Sequence, residues 1–421
     1  MASNNYFHRT IENYAFDESL TGRHMIFLAG PRQAGKTRLA REWLRAKEST
    51  PLYFNWDDFT TRRAYAQDSR FFESATRTLG VKDPWIVFDE IHKRRNWRDI
   101  LKGAYDIFHD DFRFLITGSA RLDLFRKSGD SLVGRYNLFH LFPFSIHELM
   151  QNPTADILTA EGTIEALIKK FEQRAAKKPT SEISEAYDNL LQFGPFPEPL
   201  LRQNDRFCRK WHMDYFSLVV REDLREISRI VELDKIEKML LLLPDRIGSP
   251  LSMPGLARDI EAAHTSVKNW LEQLKRLYLV FEVRPWSRKI SRGLKKEKKW
   301  YFLDWYYVSE PAARLENMVA VNLYRYCRTL TDMGYGRYTL HYVRTLDKRE
   351  IDFLVVRDNR PLLAVEVKTG QTTLSPALRD RSKWFGEAST LGIQVVDQRG
   401  ILKKYPDNTW LMSIERFLNI L

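Results

Sequence analysis

Apolar residues in this chain gather in short runs, and stretches with helical spacing separate them. HMIFLAG, from His24, reads as a buried strand running into a glycine turn, and TRLAREWLRAK after it carries the spacing of a helix. PLYFNW, DPWIVFDE and FRFLITGSA repeat the strand pattern. Strands alternating with helices predict a parallel sheet with crossover helices. The polar and aromatic stretch before His24 reads as a leading helix. This first part ends near FHLFPFSIHELM, which gives a domain over residues 1–150.

Residues 151–244 change character. DILTAEGTIEALIKKFEQRAAKKPTSEIS is charged and helix-prone, FGPFPEPLL is a proline-rich break, and WHMDYFSLVVREDLREI is an amphipathic helix. The segment reads as a helical insertion and lid or linker. Residues 245–308 read as a small helical module with a hairpin. A helix, ARLENMVAVNLYRYC, opens residues 309–421, and the strands TLHYVRT, REIDFLVVRD, PLLAVEVKTG and IQVVDQ follow it as a second α/β domain.

Composition narrows the class. The 421 residues fit about three domains. Eleven Trp and 25 Phe need a core, so a disordered chain is excluded. No run approaches the ~18 apolar residues of a membrane span. The first residues hold no apolar signal core, and Cys208 and Cys327 form no CxxC pattern; a reducing cytoplasm is expected. The net charge of +12 favours a polyanionic partner.

Gly30, Pro31, Arg32, Gln33, Ala34, Gly35, Lys36 and Thr37 complete GxxxxGK[ST] between a strand and a helix. Glycines let backbone N–H groups surround phosphates, and the helix N-terminus adds free donors. Lys36 is placed to reach the β and γ phosphates, and the Thr37 hydroxyl to ligate Mg²⁺. The strand WIVFDE ends in two carboxylates: Asp89 is assigned to metal and Glu90 to activation of the attacking water. ATP and Mg²⁺ are the expected cofactors.

The runs GPRQAGKT, WIVFDEIHK, FLITGSARLDLF, SLVGRY and LFPFSIHEL resemble a prokaryotic subgroup of AAA+ superfamily ATPases. The resemblance covers nearly the whole chain and includes a C-terminal region of unknown function. It implies ATP binding and hydrolysis, with Ser119 as a sensor and Arg135 as a candidate arginine finger, acting in its own or a neighbouring subunit of a homo-oligomer. It implies no substrate.

LSMPGLARDIEAAHTSVKNWLEQLKRLYLVFEV has the pattern of a winged helix-turn-helix. Thr265 or Ser266 is expected to cap the second helix, Val267, Trp270, Leu271 and Leu274 to face inward, and Lys268 and Asn269 to face a duplex. Arg284, Arg288, Lys289, Arg292, Lys295, Lys296, Lys298 and Lys299 follow, opposed only by Glu297. A positive wing suits phosphate contacts on DNA, the favoured partner; the charge does not rule out RNA.

Asp352, Glu366 and Lys368 form D-x13-E-x-K on two apolar strands, and Glu316 lies on the preceding helix. Residues i and i+2 of a strand share a face, so Glu366 and Lys368 point the same way. The set resembles the PD-(D/E)XK nuclease core, which implies a second Mg²⁺ or Mn²⁺ at Asp352, Glu366 and Glu316, with Lys368 positioning the attacking water.

The expected molecule is α/β: a P-loop AAA+ type parallel-sheet domain, a winged helix-turn-helix, and a PD-(D/E)XK nuclease-like domain. It hydrolyses ATP and acts on DNA, with metal-dependent cleavage gated by nucleotide and no membrane partner. The alternative is a nucleotide-dependent switch whose C-terminal domain is a non-catalytic protein-interaction surface.

Overall fold

The computed structural model describes residues 6–118, 132–151, 157–159, 163–227, 232–287, 297–345, 349–370, 372–385 and 390–421. They fall into two compact units: Met1–Phe144 with Gln151–Thr154, and Ser145–Met150 with Ala155–Leu421. The second unit takes in the segments that the sequence divides at 244 and 308.

In the first unit, strands β1 (Met25–Ala29), β2 (Tyr53–Asn55), β3 (Trp85–Asp89), β4 (Arg113–Thr117) and β5 (Tyr136–His140) form one sheet in the order β2-β3-β4-β1-β5. All its pairings are parallel. Every residue of β1, β3 and β4 is buried. A strand covered on both faces needs a continuous apolar run, and these were the runs that stood out in the sequence. YNLFH of β5 mixes Asn and His with apolar residues, so its pattern gave no strand; it pairs with β1 from Met25↔Tyr136 to Ala29↔His140. Helix α1 (Lys36–Ala46) follows β1, and α2 (Trp97–Phe108) lies between β3 and β4. Phe27, Phe72, Phe88, Trp97, Leu101 and Phe114 meet in the core. The expected leading helix is two short turns, Glu12–Ala15 and Glu18–Thr21. Asp17 breaks it: its extended backbone and its side chain, which accepts from the Ser19 N–H, start the second turn afresh.

In the second unit, helices α3 (Asp205–Leu218), α4 (Leu233–Leu242), α5 (Met253–Asp259) and α6 (His264–Arg276) lead to an antiparallel pair, β6 (Val280–Pro285) and β7 (Lys299–Phe302). Val267, Trp270, Leu271 and Leu274 of α6 are buried, while Lys268 and Asn269 are exposed. The cap is not Thr265 or Ser266. The Ala263 carbonyl accepts from the N–H groups of Ser266 and Val267, so the helix starts at His264 without a side-chain cap.

Helix α7 (Pro311–Asp332) precedes β8 (Tyr338–Arg344), β9 (Glu350–Arg357), β10 (Arg360–Lys368), β11 (Leu391–Val396), β12 (Leu402–Tyr405) and β13 (Thr409–Ser413). The sheet runs β12-β13-β11-β10-β9-β8-β6-β7. β6 pairs in parallel with β8 at Arg284↔His341 and Pro285↔Tyr342, so the hairpin and the last strands share one sheet. At the β7 edge the buried Asn317 amide of α7 imitates a neighbouring strand: Oδ1 accepts from Phe302 N (3.0 Å) and Nδ2 donates to Phe302 O (2.7 Å). Cys208 and Cys327 are buried free thiols, and among the described residues no helix is long and apolar enough to cross a membrane.

Candidate functional site

The loop Gly30–Gly35 joins β1 to α1. Gly30 has φ +150°, and a Cβ there would lie 2.1 Å from the Leu141 carbonyl oxygen, so only glycine fits. Gly35, at φ +102°, caps α1 with no side chain accepting from its first-turn amides, and that turn holds no acidic residue. A helix start of this kind is an anion site. Lys36 is buried and its ammonium donates to the carbonyls of Gly30 (3.0 Å) and Pro31 (2.6 Å).

Asp89 ends β3, one strand removed from β1, and β4 lies between them. Its buried carboxylate collects three hydroxyls. Thr37 donates to Oδ2 at 2.9 Å, Tyr53 donates to the same oxygen, and Thr117, its register partner on β4, donates to Oδ1. Thr37 and Asp89, named for one metal ion by the sequence, therefore come together. These are oxygen donors of the kind that magnesium takes, and they stand at the end of the phosphate-type loop.

Glu90 follows in the left-handed region, φ +57°, and its N–H bonds the Thr117 carbonyl. Its carboxylate lies 3.4 Å from His92 Nε2 and 3.8 Å from Lys93 Nζ. Burial and then the charge of Asp89 push its pKa up to about 6, against the opposing pull of Lys36 and Lys93.

The sequence missed Arg9. It is buried, its NH1 donates to the Ala34 carbonyl of the loop at 2.8 Å, its NH2 donates to Phe142 O, and its guanidinium lies 4.5 Å from the Phe144 ring centre. An arginine far from the motif in sequence gives no local signal. Tyr53 escaped notice for the same reason, and in the run FLITGS the sensor role was given to Ser119 and not to Thr117.

Arg135 is not brought to the loop. Its carbonyl accepts from Met25 at the start of β1, the opposite end of the sheet from Gly30, and its guanidinium grips Asp106 with Nε–Oδ1 at 2.6 Å. Ser119 lies outside the described residues, as do Arg288, Lys289, Arg292, Lys295 and Lys296.

In the second unit, two expected DNA contacts are otherwise engaged. Lys298 pairs with Glu282, which Lys275 and Arg284 also hold. Burial would raise the Glu282 pKa, but Lys275 and Lys298 overcome it and hold it down at about 2. Lys299 is fully buried and corrects its assignment to DNA: on β7 its side chain turns inward to Glu350 (2.5 Å), Glu316 (3.5 Å) and Asp352 (3.8 Å). Burial opposes its charge, yet Glu316, Asp352 and Glu350 more than compensate and raise its pKa. Lys368 pairs with Glu366 at 2.8 Å, and the Val367 N–H donates to Asp352 Oδ2 at 2.9 Å. The sequence-predicted acids and Lys368 thus share one region, but among the described residues no three His, Cys, Asp or Glu side chains are grouped to hold a metal ion.

The first unit thus combines a parallel sheet, a glycine loop entering a helix, and an acid-tipped strand joined to that helix through Thr37–Asp89: it is a P-loop domain of the AAA+ type. Residues 22–150 match the family model described as an AAA domain. Residues 184–305 and 313–417 match two families described as domains of unknown function, DUF8612 and DUF4143. The uncharacterized protein MJ1637 of Methanocaldococcus jannaschii is 24% identical over 388 residues, 86% of this chain and 79% of that protein. The uncharacterized protein Rv2008c of Mycobacterium tuberculosis is 22% identical over 280 residues, 66% of this chain and 54% of that protein, so the match spans about half its length. Among solved structures, the Aeropyrum pernix Orc1 protein in complex with DNA aligns at 15% identity and TM-score 0.30, covering 70% of this chain and 86% of that one. The replication initiator DnaA bound to AMPPCP and single-stranded DNA aligns at 14% and TM-score 0.30, covering 63% and 85%.

Proposed function

We propose that the chain binds and hydrolyses ATP and acts on DNA. The observation that carries the nucleotide reading is the 2.9 Å bond from Thr37 to Asp89 at the mouth of the Gly30–Gly35 loop. The loop and the start of α1 receive the phosphates, and Lys36 turns from the Gly30 and Pro31 carbonyls to the β and γ phosphates. Thr37 and Asp89 hold Mg²⁺, which when bound supplies neutralisation of phosphate charge. Tyr53 and Thr117 fix the Asp89 carboxylate. Glu90 accepts the proton of the attacking water, and its raised pKa suits that task.

For DNA, the reading rests on α5, the turn, α6 and the β6–β7 pair, which together have the order of a winged helix-turn-helix with Lys268 and Asn269 exposed. The order α7, β8, β9, β10, β11, antiparallel up to β10 and parallel from β10 to β11, supports a PD-(D/E)XK nuclease-like fold for the last domain. Fold alone assigns no cleavage.

Calorimetry tests the nucleotide reading. ATP with Mg²⁺ titrated into the full chain is expected to bind at one site, and Lys36→Ala to abolish the heat. Equal binding by wild type and Lys36→Ala would overturn it.

A further inference from the structure

We infer that the ammonium of Lys299 is the resident cation of the C-terminal carboxylate cluster, where a nuclease-like fold would take a divalent metal, and that the cluster is an anchor for the β6–β7 hairpin and not a hydrolytic centre. The inference is independent of the nucleotide site.

The carboxylates that a metal would need already face cations and donors of the chain itself. Asp352 Oδ1 faces Lys299 at 3.8 Å and its Oδ2 accepts from Val367 N at 2.9 Å. Glu316 Oε1 accepts from Tyr301 OH at 2.7 Å and lies 3.5 Å from Lys299. The other Glu316 oxygen abuts bare backbone: Gly248, at φ +80°, would place a Cβ 2.8 Å from it. Glu350 gives Oε1 to Lys299 at 2.5 Å and has Oε2 3.7 Å from Arg344. Glu366 Oε1 is held by Lys368, and its Oε2 is buried without a hydrogen-bond partner. The Lys299 ammonium thus lies within 4 Å of three of these carboxylates and already supplies the positive charge that a divalent ion would bring.

The ammonium also has the burial and support of a built element. Lys299 is 0% exposed and its Nζ lies 5.5 Å from the Tyr342 ring centre. A buried lysine is tolerated when carboxylates surround it, and removing one side of such a group leaves charge uncompensated. Its backbone is equally fixed: Lys299 bridges Pro250 and pairs with Val283. Two residues on, Tyr301 reaches the same Glu316. One strand of the hairpin is thereby fastened to β9 and α7 by a salt cluster, at the root of the basic segment.

The full chain carrying Asp89→Asn, which removes the carboxylate of the nucleotide site, provides the test. Electron paramagnetic resonance should detect no stoichiometric Mn²⁺ binding. One bound equivalent that disappears on adding Asp352→Asn would overturn the inference. So would Mn²⁺-dependent DNA cleavage by the wild type that Lys368→Ala abolishes. Lys299→Met in the same background should lower the melting temperature by roughly 10 °C. Mn²⁺ should restore part of that loss, since three carboxylates would then face one another. An unchanged melting temperature counts against the anchor. Should Lys299→Met fail to fold, the Mn²⁺ count with Lys299 in place still decides.

Discussion

At the scale of single residues, Asp89 and Glu90 are neighbours with opposite environments. Asp89 is saturated by the hydroxyls of Thr37, Tyr53 and Thr117, which suits a fixed anionic ligand. Glu90 is held in the left-handed region beside Asp89, and burial together with the Asp89 charge raises its pKa to about 6. A base must be ionised to act, so ATP turnover should climb as pH rises through about 6 and level off above 7. Glu90→Gln should reduce kcat by roughly 10² to 10⁴-fold, leave ATP affinity within a few-fold, and remove that climb. Steady-state rates between pH 5 and 8 for both proteins give the answer; a climb that persists in the variant removes Glu90 from the role. Lys36, Thr37, Asp89 and Glu90 were legible because each sits in a contiguous string whose spacing encodes its chemistry. Arg9, Tyr53 and Thr117 were not assigned, because their partners are distant in sequence: the strand order β2-β3-β4-β1-β5 brings Tyr53 and Thr117 to Asp89, while Arg9, which lies on no strand, reaches the loop through the Ala34 carbonyl. Lys299 shows a different limit. Read among eight basic residues it looked like part of a DNA-contacting wing, and nothing local to that segment announces three carboxylates that arrive from α7 and β9.

At the scale of elements, buried polar bonds decide how the helices of the second unit are held. His212 of α3 lies 2.9 Å from Asp304 through Nε2 and bonds the Cys208 carbonyl through Nδ1 at 2.8 Å. Both ring nitrogens therefore donate, which requires the imidazolium. Burial alone would lower the pKa, but the Asp304 carboxylate overrides it and raises it from 6.5 to about 10. Because the folded value is above the ordinary one, the pair's stabilisation is complete below about pH 6.5 and is lost as pH rises through about 10. Breaking a buried pair of this kind costs about 3 to 5 kcal/mol. Asp304→Asn should thus melt roughly 10 °C below wild type at pH 7, and the gap should narrow at pH 10.5. Thermal melts at the two pH values test this, and a gap of constant size would show that packing, not charge, joins these elements. Apolar spacing did reveal the buried stripe of α6, since a helix face writes itself at i, i+3 and i+4. The start of that helix was read two or three residues late, because a carbonyl, Ala263 O, and not a side chain begins it. The pairing of β6 with β8 was out of reach of any periodicity, joining segments separated by the whole of α7.

At the scale of the molecule, the proposal couples an ATPase to a DNA-binding module, and the +12 charge is consistent with a polyanion partner without naming one. The structure sharpens which charges can serve. Lys268 and Asn269 are exposed on α6, whereas Lys298 is committed to Glu282 and Lys299 is enclosed. Charge reversal at Lys295 and Lys296 is therefore expected to weaken duplex binding and flatten its salt dependence, while Lys298→Ala does neither to a comparable degree. Each phosphate contact removed should reduce the slope of log affinity against log salt by about 0.9. If DNA acts on the engine, duplex added at saturating ATP should raise turnover several-fold in wild type and leave Lys295→Glu/Lys296→Glu unstimulated at the same concentration. The regulatory-switch alternative makes the opposite demand: slow hydrolysis at one rate with or without DNA. Phosphate-release rates with wild type, the double charge reversal and Glu90→Gln separate the two, because only a coupled ATPase loses stimulation in the charge variant while retaining its basal rate, and only a rate carried by this chain disappears with Glu90.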